Sequence, residues 1–173
     1  MPSTTRIPAL VLGLLGGAVV PELAAQSRPG VLPDGSTFAV TVNRLTIDGF
    51  SDEPLTGVAL RFAGLRRNAL SWELGAAVMA DQDLRAASLE LGPAFNLSLP
   101  GATLLIRGGG TGIVAASGDG GGGAIGAYAG MGLLFRVGRR VGLRFDLARH
   151  WYAGEGTGAW QFGAGFALLP RIR

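Results

Sequence analysis

The chain has no cysteine, no lysine and a single histidine, His150. Without cysteine there can be no disulfide, thiolate metal site, cysteine nucleophile or acylated lipoprotein terminus. One histidine also rules out multi-histidine metal centres, so neither a metal nor a cofactor is expected. Positive charge is carried by arginine alone, and the formal net charge is +3. These arginines are scattered singly or in pairs, whereas a nucleic-acid-binding arm would gather them in a run or on one helix face. No nucleic-acid partner is expected.

Long hydrophobic runs are scarce too. The main one, residues 7–20, is shorter than the roughly 20 residues needed to cross a bilayer as a helix. It follows a short polar start carrying Arg6 and precedes Pro21 and the small residues Ala24 and Ala25. That layout predicts a secretory signal peptide over residues 1–25, cleaved after Ala25, so that the remaining chain leaves the cytoplasm.

What is present is period-two alternation. After a Pro- and Gly-rich lead over residues 26–36, strands are expected near 37–48, 55–65, 69–80, 87–99, 102–114, 124–137, 141–152 and 159–169, with a short tail at 170–173. Three connections are tight: Arg66-Arg67-Asn68, Pro100-Gly101 and Gly138-Arg139-Arg140. The four between them read as longer, and most are acidic or glycine-rich, including residues 118–123, read as a surface loop. An even number of antiparallel strands with this alternation of connections predicts an all-β, eight-stranded, up-and-down transmembrane barrel over residues 37–169.

The two faces of these strands differ in kind. One carries Leu60, Phe62, Trp72, Leu74, Leu91, Met131, Phe145 and Phe162. The other carries Ala59, Arg61, Glu73, Gly75, Glu90, Arg107, Tyr128, Arg144, Asp146 and His150. A soluble barrel would turn its large apolar residues inward. Here the small and charged residues are expected to fill a narrow lumen while the large ones face lipid, and the backbone must close on itself because hydrocarbon offers its N–H and C=O groups no partner. Aromatics fall in two bands, as membrane interfaces favour. Phe38, Phe62, Trp72, Phe95, Phe135 and Phe166 lie toward the tight-turn end, and Trp151 and Trp160 toward the other.

With its strands placed, the chain resembles the small outer-membrane barrels of the OmpA transmembrane-domain and OmpX type over residues 37–169. In the last strand Gln161, Gly163, Phe166 and Leu168 match the polar, glycine, hydrophobic, hydrophobic spacing of the signal read by the barrel-assembly machinery. The resemblance implies an outer-membrane location, a monomer, that machinery as a partner during insertion, and contact with outer-membrane lipid and lipopolysaccharide.

Hairpin registers suggest contacts inside. Centring the first tight turn on Arg67 sets Arg61 opposite Glu73, and centring the third on Arg139 sets Tyr128 opposite His150. Glu90, Arg107, Arg136, Arg144 and Asp146 complete an expected ladder of mixed charge that closes the lumen. The function expected is structural or surface-interactive, without catalysis. A narrow gated channel is the alternative, in which exchanging ion pairs would open a path. A second alternative is a lipid A-modifying enzyme using His150, but the deacylase pattern it would resemble requires serine where Tyr152 stands. Outside the barrel, Arg149 is placed to meet a lipid phosphate, and Arg44 likewise if the first strand carries a bulge.

Overall fold

A computed structural model describes residues 35–48, 53–118, 120–154 and 158–170. The signal peptide expected over 1–25, most of the lead and the last three residues lie outside these. Eight strands follow in order: β1 (Gly35–Ile47), β2 (Leu55–Leu65), β3 (Ala69–Ala80), β4 (Arg85–Leu99), β5 (Ala102–Ser117), β6 (Gly120–Arg136), β7 (Val141–Tyr152) and β8 (Gly158–Leu168). Each pairs antiparallel with its neighbours, and β1 closes on β8 from Phe38↔Leu168 to Ile47↔Ala159. Closure leaves no free edge along the barrel wall.

Alternation sets which side faces out. Trp72 is 64% exposed, Phe162 52% and Phe135 38%, all on the outer surface, while Arg61, Glu73, Arg107 and Arg144 are buried within. A shell of large apolar side chains around a charged interior is the arrangement hydrocarbon requires and water penalises.

Several details differ from expectation. In the β2–β3 hairpin Arg61 lies opposite Gly75, and Glu73 opposite Ala63, so the turn is centred on Asn68 and not on Arg67. Asn68 takes a left-handed conformation, φ 47°, which asparagine tolerates better than most residues. Its Oδ1 accepts the Ser98 N–H at 3.0 Å. Moving the centre by one residue shifts the pairing by two, so every side chain keeps its face. The first strand needs no bulge to turn Arg44 outward: the β1 ladder is continuous, with Arg44 outward and Leu45 inward on the regular alternation. Residues 118–123 are not a long loop, because Gly120–Gly123 pair with Val114–Ser117 and extend the β5–β6 hairpin. The β3–β4 connection is also tight. Asp81 N–H donates to Leu84 O at 2.9 Å, and its Oδ1 accepts the N–H groups of Asp83 and Leu84 at 2.8 and 2.7 Å.

One interruption stands in the barrel wall. The β4–β5 ladder breaks between Leu91↔Gly110 and Ala94↔Arg107, where Pro93 has no N–H to give. A Cβ on Gly92 would fall 1.9 Å from the Gly108 carbonyl oxygen, so glycine is what allows the two backbones to approach here.

The interior is layered. Near the tight-turn end Ala39, Leu65, Leu105, Leu134, Ala167 and Leu169 pack together. Near the opposite end Leu45, Leu55, Ala59, Met79, Ile113, Tyr152 and their neighbours form a second apolar cluster. The lumen therefore holds large apolar residues as well as the small and charged ones expected there, and they occupy its two ends.

Candidate functional site

Between the apolar layers lies a charged one built from five strands. Arg61 (β2), Glu73 (β3), Glu90 (β4), Arg107 (β5), Arg144 and Asp146 (β7) project into the same level, all of them buried. Arg144 and Asp146 share a face because they are two residues apart on one strand. Neighbouring glycines make the space: a Cβ on Gly75 would sit 2.8 Å from Arg61 Nη1, and one on Gly132 2.8 Å from Asp146 Oδ1.

Three guanidinium groups meet three carboxylates, and the charges balance. Arg61 Nη1 reaches Glu90 at 2.6 Å and Glu73 at 3.3 Å. Arg107 Nη1 lies 2.7 Å from Glu73 and 3.4 Å from Glu90, and its Nη2 is 3.3 Å from Asp146. Arg144 Nη2 reaches Glu73 Oε2 at 2.7 Å, and its Nε reaches Asp146 Oδ2 at 2.9 Å. Charges so far from water persist only when each is compensated by opposite charge and hydrogen bonds. Arg61 and Glu73 meet diagonally despite the shifted register, since long side chains reach the adjacent position.

Arg136 does not join this layer. It bends toward the tight-turn end, where Nε donates to Gly138 O at 3.0 Å and Nη2 to Arg139 O at 2.9 Å. The guanidinium caps a hairpin there, because β6 passes the level of the acids at Gly132, opposite Asp146, and Arg136 lies four residues further toward the tight turn.

Above the charged layer stands a polar column. The His150 ring stacks between Tyr128 and Tyr152, with centroids 5.8 and 6.0 Å away, and Tyr128 does face His150 across the β6–β7 ladder. His150 Nε2 meets Gln161 Oε1 at 3.0 Å, and Gln161 Nε2 donates to Asn43 Oδ1 at 3.2 Å. Glu90 lies 3.7 Å from the same imidazole nitrogen, and Nδ1 bonds no protein group. No serine hydroxyl is among the hydrogen-bond partners of His150 in the described residues. Ser117 Oγ is directed to Gly120 O, 3.4 Å away.

In the last strand Gln161 is buried inside the barrel, while Phe166 and Leu168 point outward. A Cβ on Gly163 would collide with the Asn43 side-chain carbonyl, so both the polar and the glycine position of the β8 pattern serve the interior column. Phe38, Phe62, Trp72, Phe95, Phe135 and Phe166 are exposed on the outer surface toward the tight-turn end, and Trp151 and Trp160 toward the other. Arg149 lies over the Trp160 ring, 5.2 Å from its centroid, and its guanidinium pairs with Asp48. This hydrogen bond holds the Asp48 carboxyl below the usual aspartate range. The Asp81 carboxyl is lowered in the same sense by the N–H groups of Leu84 and Asp83.

The two ends differ in charge. Arg66, Arg67, Arg139 and Arg140 are exposed at the tight turns, whereas the described parts of the opposite connections carry Asp48, Glu53, Asp81 and Asp83. Among the described residues no group of three or more His, Asp or Glu is arranged to hold a metal ion.

No family model matches the chain, and no curated protein matches it by sequence. Solved structures do match by fold. Neisserial surface protein A (NspA) is 12% identical with a TM-score of 0.57, over 78% of this chain and 96% of that one. The N-terminal β-barrel domain of Pseudomonas aeruginosa OprF is 13% identical with a TM-score of 0.56, over 79% of this chain and 100% of the domain. The chain thus has the closed, eight-stranded antiparallel fold of the small outer-membrane barrels.

Proposed function

We propose that this chain is an outer-membrane barrel with a structural or surface-interaction role, whose lumen passes no solutes and performs no catalysis. The observation that carries the reading is the balanced layer of three arginines and three carboxylates, buried between two apolar clusters. An ion entering the lumen would have to displace paired charges and pass two ends packed with large apolar side chains, where the buried polar groups are few and mostly engaged with one another.

Catalysis lacks support in the same geometry. His150 is held by Gln161 and two aromatic rings, and among the described residues neither a nucleophile nor an orienting acid is in hydrogen-bonding position. The gated-channel alternative needs a path with water on both sides of the ion pairs, and the apolar layers argue against one.

Export through a cleaved signal peptide and assembly through the last strand complete the proposal. Gln161, Gly163, Phe166 and Leu168 would present the assembly signal, and the two aromatic bands would sit at the lipid interfaces. The arginine-bearing turns then face the periplasm and the acidic connections face outward. Outer-membrane lipid and lipopolysaccharide are the expected surroundings, with the barrel a monomer.

Two assays test this together. Cell fractionation should place the protein in the outer membrane in a heat-modifiable form, and proteoliposomes containing it should not swell in small sugars. Recovery in a soluble fraction would overturn the location, and swelling in sugars would overturn the closed lumen.

A further inference from the structure

Above the outer apolar cluster, the barrel opens into a cavity of about 850 Å³. Its size falls in the range of small-molecule sites. Ile113 and Tyr152 belong to the cluster beneath it, and Ile47, Leu84 and Ala124 pack against that cluster while lining the cavity. The space is empty for a local reason. Gly120–Gly123 form its wall where β5 and β6 rise above the neighbouring strands, and a Cβ on Gly122 would meet no atom within 4 Å. The β6–β7 ladder stops at Gly126↔Tyr152, so this wall stands clear of β7.

The charged side chains that line the cavity among the described residues are all acidic. They are Glu53, Asp81 and Asp83, and among the described residues no arginine lines it. Asp81 is occupied with backbone N–H groups, which fixes the turn carrying Leu84. Asp83 is exposed, and its carboxylate makes no hydrogen bond or ion pair among the described residues. An apolar basin rimmed by carboxylates favours a ligand with an apolar body and a positive group, and repels anionic amphiphiles of the same shape.

We propose that this cavity is a binding site for amphipathic organic cations, with the apolar body on Ile113 and Leu84 and the cationic group toward the exposed carboxylate of Asp83. The site lies above the charged layer, so it stands whether or not the lumen below conducts.

A pair of ions of like shape and opposite charge tests it. The full chain, refolded into zwitterionic nanodiscs, is titrated calorimetrically with tetraphenylphosphonium and with tetraphenylborate, and titrations of empty nanodiscs are subtracted. Saturable one-to-one binding of the cation is expected, with affinity at least about tenfold above that of the borate. Asp83→Asn should weaken cation binding by about threefold at low salt. Ala124→Trp should abolish it by filling the cavity, and Gly122→Leu should weaken it through a wall position with room for a side chain; heat-modifiability verifies that each variant is folded. Absence of saturable binding above empty nanodiscs, equal binding of the borate, or unchanged binding in folded Ala124→Trp and Gly122→Leu variants would overturn the assignment.

Discussion

Glu73 on β3 and Arg144 on β7 meet across the barrel, with Arg144 Nη2 2.9 Å from Oε1 and 2.7 Å from Oε2. Their strands are not neighbours in the sheet, so this pair spans the lumen instead of running along its wall. Glu73 also accepts hydrogen bonds from Arg61 and Arg107, so it is the acid of the layer that all three arginines hydrogen-bond.

Glu73→Gln should therefore leave buried positive charge uncompensated. The expected loss is about 3–5 kcal/mol of stability, the usual cost of removing one member of a buried ion pair. Equilibrium unfolding in urea, in lipid vesicles, measures it. The double variant Glu73→Met with Arg144→Met should recover part of the loss, because it removes the charges together. A wild-type midpoint for Glu73→Gln would show that the layer contributes little.

Gln161 carries two roles that can be separated. Refolding into detergent needs no assembly machinery, so a defect there reports on the His150–Gln161–Asn43 column alone. Gln161→Leu is expected to cost about 1–3 kcal/mol in that assay by leaving buried polar groups unpaired. In a His150→Leu background the same change should cost less, and the double-mutant cycle gives the coupling. Additive losses would mean that the contact is energetically silent.

The outward face makes a different prediction. Leu91 lies near the middle of β4 and is 52% exposed. Leu91→Arg should destabilise the barrel in vesicles by about 2–4 kcal/mol, the cost of a guanidinium at the bilayer midplane. In a water-facing position the same change would be nearly neutral, so a negligible loss contradicts the lipid-facing assignment.

Asp48 gives a pH signature outside the membrane-spanning strands. Its carboxyl is held below the ordinary aspartate value by Arg149. A depressed native pKa means that the pairing stabilises the barrel above pH of about 4, and that the contribution fades as pH falls through the native pKa. The Asp48 carboxyl resonance should titrate below the usual aspartate midpoint, and Arg149→Gln should return it upward. An unchanged midpoint in the variant would show that another group holds the carboxyl.

Most of the wall was legible in the sequence because a two-residue period survives errors at strand ends. The shift of the β2–β3 turn to Asn68 altered every pair in that hairpin and moved no side chain to the other face. Tyr128 and His150 were found opposite each other because the third turn is centred where its residues suggest. The sealing layers were not legible. Leu105 lies between Leu104 and Ile106, and Leu134 between Leu133 and Phe135, so the alternation loses its contrast where an apolar residue faces inward among apolar neighbours. Contacts between non-adjacent strands, such as Glu73 with Arg144, leave no local pattern, and neither does a cavity made by glycines whose strands rise above the rim. Arg136 was misplaced because period-two reading assigns a face but not the height to which a long side chain bends.

Conductance of the purified, refolded chain in planar bilayers tests the sealed lumen most directly. Paired charges between two apolar layers should give no stable open level at any moderate voltage. A large, long-lived conductance from the wild-type protein would mean that a water-filled path exists through Arg61, Glu73, Arg107 and Arg144, and the closed-barrel reading would fail.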